Sequence, residues 1–194
     1  MTVEEFLDWE DAQPTRHELV AGEVYAMSGA TLRHNEISLN VASLLRSAGR
    51  SAGCRTYIAD ARLRVRDDIV YYPDVMVACG PPPADPRIED APCLVVEVLS
   101  PSTRRTDRHE KAAVYETIPS LGAYLIVEQD RRLVERGWGD ADGSWRRETY
   151  EGDGTIALPC PPGLTLTLDA IYEGVEPPPA DEVLRLREAE AEYA

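Results

Sequence analysis

The run Cys93-Leu-Val-Val-Glu-Val-Leu99 is apolar at every position but one, and that limits what the chain can become. A strand with one wet face alternates apolar and polar residues, whereas an unbroken apolar run needs cover on both faces. Such a strand belongs in the middle of a layered domain. Its exception, Glu97, stands between Val96 and Val98 on the face shared by Val95 and Leu99. A carboxylate in that position is costly unless it is paired or holds a cation. Glu97 is therefore either half of a buried salt bridge or a metal ligand.

Tyr72-Pro73-Asp74-Val75-Met76-Val77 repeats the theme, with Asp74 entering an apolar strand directly after a proline. Pro-Asp is ordinary turn chemistry. Carboxylates from adjacent strands also suit a hard cation such as Mg²⁺ or Mn²⁺, which favours oxygen ligands. A third residue sharpens the choice. Lys111 is the single lysine beside nineteen arginines. It shares a helical face with Val114, Tyr115 and Ile118 at i, i+3, i+4 and i+7. Either its stem lies along the core while the ammonium reaches water, or it is kept where a wide guanidinium cannot serve.

With 194 residues, 43% hydrophobic and 28% charged, the chain fits one soluble domain. We expect that domain over residues 1–175, followed by a Pro-rich linker and an acidic helix over 176–194. No apolar run approaches the roughly 18 residues of a membrane span, and the first residues lack a secretory pattern, so the expectation is a bacterial cytoplasmic protein without membrane partners. Cys54, Cys79, Cys93 and Cys160 are scattered, without paired zinc or redox spacing, and are expected to be reduced thiols. The net charge of −15 opposes a tight, non-specific nucleic-acid binder.

Along the chain, Thr2-Val-Glu-Glu5 predicts a capped helix. His17 to Met27 predicts a hairpin turning at Ala21-Gly22, and His34 to Ala48 a helix. Strands are expected over Arg55 to Arg66 and Val70 to Cys79, then a proline loop from Pro81 to Pro92 that joins no ladder. Asp107 is expected to cap the Lys111 helix. Ala123 to Glu128 reads as another buried strand. Leu133 to Trp138, Trp145 to Tyr150 and Thr155 to Leu158 read as a meander, and Leu164 to Leu168 as a half-buried strand. The order of elements indicates an α/β or α+β domain with a mixed central sheet.

Tyr72-Pro-Asp-Val-Met-Val, Leu94-Val-Val-Glu-Val-Leu-Ser-Pro-Ser-Thr, Asp107, Lys111 and Tyr115 together resemble the Uma-two restriction-endonuclease family, within the PD-(D/E)XK nuclease superfamily. Arg16-His-Glu-Leu-Val-Ala-Gly-Glu23, Met27-Ser28 and His34 extend the likeness. The resemblance implies a restriction-endonuclease-like core, a mixed sheet flanked by helices. It implies a Mg²⁺- or Mn²⁺-dependent endonuclease that hydrolyses DNA phosphodiester bonds, with Asp74, Glu97 and Lys111 catalytic. Asp74, Glu97 and the Val98 carbonyl would hold the metal. The superfamily lysine usually stands two residues after the second acid, where this chain has Leu99; the resemblance implies that Lys111 supplies that charge from the following helix.

Glu18 is either a third acid near the metal or a solvated hairpin residue, and His34 either faces the site or is structural. His34, Ser102, Arg104, Arg105 and Arg108 are candidates for substrate contact, as is the alternating Arg62, Arg64 and Arg66 face; Ser102 otherwise shapes the loop after Glu97, and each basic group is otherwise a solvated face balancing nearby acids. Cutting both strands is simplest with two sites, so a homodimer is expected. The alternative is a catalytically silent nucleic-acid or protein binding module that retains the nuclease fold.

Overall fold

The computed structural model describes residues 1–27, 29–99, 110–176 and 178–179. The central strand is β8 (Leu94–Leu99), buried along its whole length. It pairs in parallel with β9 (Ala123–Glu128) and antiparallel with β6 (Val75–Ala78). With β3 (Arg55–Ile58), β10 (Leu133–Gly139) and β11 (Trp145–Glu151) these strands form a mixed six-stranded sheet, ordered β11-β10-β9-β8-β6-β3.

Both faces of the sheet are covered, as the apolar run requires. On one, α2 (Leu32–Gly49) lays Ile37, Val41 and Leu45 over Val75, Val77, Val96 and Val98. Its cap is Thr31, whose hydroxyl accepts from the His34 N–H. On the other, Val95, Leu99 and Ile126 meet Tyr115 of the short helix α3 (Ala112–Tyr115) and, just beyond it, Ile118. Leu63, Ile69 and Tyr71 join them from a second sheet.

That sheet runs β2-β1-β5-β4-β7, with β1 (His17–Val20), β2 (Glu23–Ala26), β4 (Arg62–Arg66), β5 (Ile69–Tyr71) and β7 (Ile88–Glu89). The β1–β2 hairpin turns at Ala21 and Gly22, where φ is 52° and 82°. Positive φ at both central residues matches the twist of the flanking strands. The expected N-terminal helix is α1 (Val3–Glu10), with its reciprocal Thr2–Glu5 cap in place.

Each of the two long strands expected before residue 80 is broken. The first divides at 59–61 into β3 and β4, the second at Tyr72-Pro73-Asp74 into β5 and β6. β3 pairs with β6 in one sheet, and β4 with β5 in the other. Over these two segments the chain therefore crosses between sheets twice, side by side. Pro73 lacks an N–H for a ladder, Ala59 turns through φ 43°, and the Ala59 N–H donates to the Asp74 carbonyl at 3.1 Å. Asp74 thus stands at the joint of two sheets, not in the run of a strand.

The joint is braced by buried polar groups. Tyr72 donates its hydroxyl to Glu10 at 3.0 Å and accepts from Arg62 Nε at 2.7 Å. Glu10 also accepts from the His17 N–H, and Arg62 reaches Asp11. The terminal helix and both crossings are tied together by this network.

Three further expectations are corrected. The proline loop does join a ladder, since Ile88 and Glu89, between Pro86 and Pro92, pair in parallel with Arg62 and Leu63. Thr155 to Leu158 leaves the meander: β12 (Thr155–Ala157) pairs with β13 (Thr165–Thr167) in a sheet of its own, closed by the intervening turn. The cysteines are not separate thiols. Cys54 is bonded to Cys79 and Cys93 to Cys160, because the ends of β3, β6 and β8 adjoin. The acidic terminal helix, Asp107 and Ser100 to Thr103 lie outside the described residues.

Burial pushes the phenols of Tyr71 and Tyr72 up to about 12, against opposing pulls from Lys111 and Arg62 respectively. The folded chain keeps these protons where an unfolded tyrosine, titrating near 10, has lost them. The stability they confer is full below about pH 10 and is lost as pH rises toward 12. The urea midpoint should therefore fall markedly between pH 9 and pH 11.5; a flat profile would mean that the joint is not closed around these rings.

Candidate active site

The β6–β8 register sets the site. Val75 faces Val96, so one step further along the antiparallel ladder Asp74 stands opposite Glu97. Asp74 Oδ2 accepts from the Val98 N–H at 2.7 Å, which fastens the crossing segment to the neighbouring strand. The same oxygen lies 3.2 Å from His34 Nε2, in the first turn of α2. Two carboxylates are thereby held at the ends of adjacent strands, with a histidine behind one of them.

Lys111 joins them from the α3 side. Its ammonium donates to Glu18 Oε1 at 2.8 Å and lies 3.6 Å from Glu97 Oε1. The Lys111 side chain is only 7% exposed and its nitrogen sits 4.9 Å from the centre of the Tyr71 ring. It does not reach past the core into solvent. Burying an ammonium costs several kcal/mol, about the scale that two carboxylates and an aromatic face can offset. Tyr115 donates its hydroxyl to Glu97, so the residue that fills the core also orients the acid. Glu18 additionally accepts from the Tyr72 N–H at 3.3 Å.

These groups meet at a cavity of about 290 Å³ whose lining includes His34, Tyr72, Asp74, Glu97, Val98 and Lys111. Among the described residues, the carboxylates of Glu18, Asp74 and Glu97 gather around the Lys111 ammonium, an acidic setting that would suit a divalent cation. The cavity wall offers the carboxylate oxygens of Asp74 and Glu97, the chemistry that Mg²⁺ or Mn²⁺ prefers. Asp74 and Glu97 are the residues that could hold such an ion, with Val98 beside them. Glu18 accepts from both Lys111 and the Tyr72 amide through one oxygen, Oε1.

Leu99 occupies the usual lysine position and is fully buried among Val95, Tyr115 and Ile126. Arg62, Arg64 and Arg66 do not form a free basic face, because they pair with Asp11, Glu4 and Asp68 respectively. Ser102, Arg104, Arg105 and Arg108 lie outside the described residues. Two residues of the site region escaped the sequence reading. Arg16 lines the cavity mouth, half-exposed and steadied by Asp60 at 3.2 Å. Gln129 is buried beyond the end of β9, accepting from the Thr31 hydroxyl at 2.6 Å and donating to the Leu99 carbonyl at 2.8 Å. It links the α2 cap to the end of β8. Only the position of Gln129, polar after six apolar-dominated residues, hints at this role.

A family model described as "Putative restriction endonuclease", Uma2, matches residues 3–169. Two uncharacterized proteins of Synechocystis sp. are similar in sequence. One is 33% identical over 182 residues, covering 90% of this chain and 93% of the relative. The other is 32% identical over 149 residues, covering 75% and 84%. Among solved structures, a protein described as a putative nuclease belonging to DUF820, from Anabaena variabilis, superposes with a TM-score of 0.74 at 17% identity. That match covers 91% of this chain and 99% of the other, and establishes a shared fold.

Removing the ammonium takes from Glu18 and Glu97, both largely buried, the cation that they share. Lys111→Ala should lower unfolding free energy by about 3–5 kcal/mol at neutral pH, read from denaturant melts. A loss below about 1 kcal/mol, the scale of an exposed pair, would contradict the burial described.

Proposed function

The chain belongs to the Uma2 family, and from that premise we propose that it is a nuclease that hydrolyses DNA phosphodiester bonds with the help of a divalent cation. The observation that carries this reading is the meeting of Asp74, Glu97 and Lys111 at one cavity, although the three come from a sheet crossing, a strand end and a helix start. A cation held by Asp74 and Glu97 would supply positive charge where a phosphodiester develops negative charge.

The chain's own groups would do the rest. His34 and the Val98 N–H hold the Asp74 carboxylate in a fixed orientation. Tyr115 does the same for Glu97. Glu18 and the Tyr71 ring hold the Lys111 ammonium at the cavity wall, where it can orient a water or stabilise charge on a reacting phosphate oxygen. An arginine would need more room and a second set of acceptors. Arg16 at the mouth offers a phosphate contact that fixes position without reading sequence. Two copies acting together would cut both strands.

The net charge of −15, with Lys111 already satisfied by two acids, favours one second reading: a nucleic-acid or protein binding module that keeps the fold without turnover.

Titration with Mg²⁺ or Mn²⁺ should raise stability by about 2.7 kcal/mol at a hundredfold excess over the dissociation constant, and Asp74→Ala and Glu97→Ala should abolish that gain. Cleavage of plasmid or single-stranded DNA should disappear in both variants. In Lys111→Arg it should fall roughly 10²–10³-fold, the scale of one lost transition-state donor. Cation binding without cleavage would support the silent module, and absence of cation binding would overturn the metal-dependent nuclease.

A further inference from the structure

The four cysteines of the chain meet at the end of the sheet opposite Asp74 and Glu97. Cys54 precedes β3, Cys79 follows β6, Cys93 precedes β8, and Cys160 comes from the turn between β12 and β13. The antiparallel ladders bring the first three together, because Arg55 pairs with Ala78 and Val77 with Leu94. The fourth is delivered by the separate two-stranded sheet, and its side chain is buried.

Two bonds join the sulphurs in pairs, Cys54 to Cys79 and Cys93 to Cys160. The pairs also abut. Cys79 Sγ lies 3.3 Å from Cys160 Sγ and 3.4 Å from Cys93 Sγ, so one sulphur touches all three others. Cys79, Cys93 and Cys160 keep their sulphurs mutually within 4.8 Å, and Cys54 adjoins this set through Cys79. Two independent cross-links need no such contact. A tetrahedral Zn²⁺ site does, since thiolates about 2.3 Å from the ion stand about 3.8 Å from one another.

We propose that in the reduced chain Cys54, Cys79, Cys93 and Cys160 form a tetrathiolate site for one soft divalent cation, Zn²⁺. Opening the two disulfides takes four electrons and four protons from a dithiol reductant. Binding then releases the four thiol protons, and the centre carries two net negative charges. No histidine or carboxylate belongs to the donor set, which selects a soft ion over Mg²⁺. All four positions being cysteine leaves no ligand place for a reacting water, as in structural rather than catalytic zinc sites. The ion would clamp three strand ends and the 158–164 turn, leaving the carboxylates at the far end of the same strands to the hard cation.

The distant spacing, with ligands at 54, 79, 93 and 160, hides the site from any short motif. Gly49 contributes to its packing: a Cβ there would stand 3.1 Å from Cys54 Cβ and 3.3 Å from Pro161 Cγ, so the last turn of α2 closes over the cluster.

The test is Co²⁺ titration of the full chain after reduction with dithiothreitol and its anaerobic removal. We expect intense visible bands and sulphur-to-cobalt charge transfer, saturating at one ion per chain and bleached by one equivalent of Zn²⁺. Asp74→Ala should retain these bands, because oxygen ligands at the other end do not produce them. Cys79→Ser and Cys160→Ser should each lose or strongly weaken them while keeping the wild-type far-ultraviolet circular dichroism; Cys160 lies outside the main ladders, so its variant guards against misfolding of the sheet. A reduced wild-type chain that gives no charge-transfer bands would overturn the proposal, as would bands that survive both serine variants.

Discussion

The site depends on a buried ammonium. Lys111 comes to rest between Glu18 of the hairpin and Glu97 of the central strand, over the ring of Tyr71. No single partner offsets its desolvation, so three elements must arrive together: the first hairpin, the strand β8 and the start of α3. The same interaction makes Glu97 tolerable inside an otherwise apolar strand. The acid and the base each supply the reason that the other can be buried, and the cavity opens beside them.

A second constraint is the double crossing between sheets. Had Pro73 been any residue able to donate, β5 and β6 could have continued as one strand, and Asp74 would have lain inside a ladder. The crossing turns its carboxylate toward Val98 and His34, while the Tyr72–Glu10–Arg62 network holds the segment from behind. Rigid ladders on both sides supply the positional accuracy that a site on a free loop would lack.

Much of this was legible in the chain. The apolar run from Leu94 to Leu99 required two covering layers and has them, and the 3.6-residue period placed Lys111 on the buried face of its helix. Pattern alone placed Glu97 in a strand; it put Asp74 inside one as well, where the chain instead crosses between sheets. What pattern could not reveal was partnership across distance. Glu18 lies 93 residues from Lys111, and Gln129 lies 98 from Thr31. Tyr115 reads as core because its ring is core; only coordinates reveal that its hydroxyl serves Glu97. Arg62, Arg64 and Arg66 alternate as a basic face should, yet their charge is spent on local acids that no periodicity identifies. The strand break at 59–61 was missed for a related reason. Ala59 gives no warning of a left-handed turn, since glycine and asparagine are the usual signals.

The proposed hard cation would be shared by Asp74 and Glu97 within reach of the buried Lys111 amine. Anomalous scattering from a crystal soaked in Mn²⁺ tests it most directly. The expected result is a single strong peak between the Asp74 and Glu97 carboxylates, with the Lys111 nitrogen near the ion but not ligating it. A crystal that takes up Mn²⁺ only elsewhere, or leaves Lys111 bonded to Glu18 and Glu97 with no peak between the acids, would contradict it.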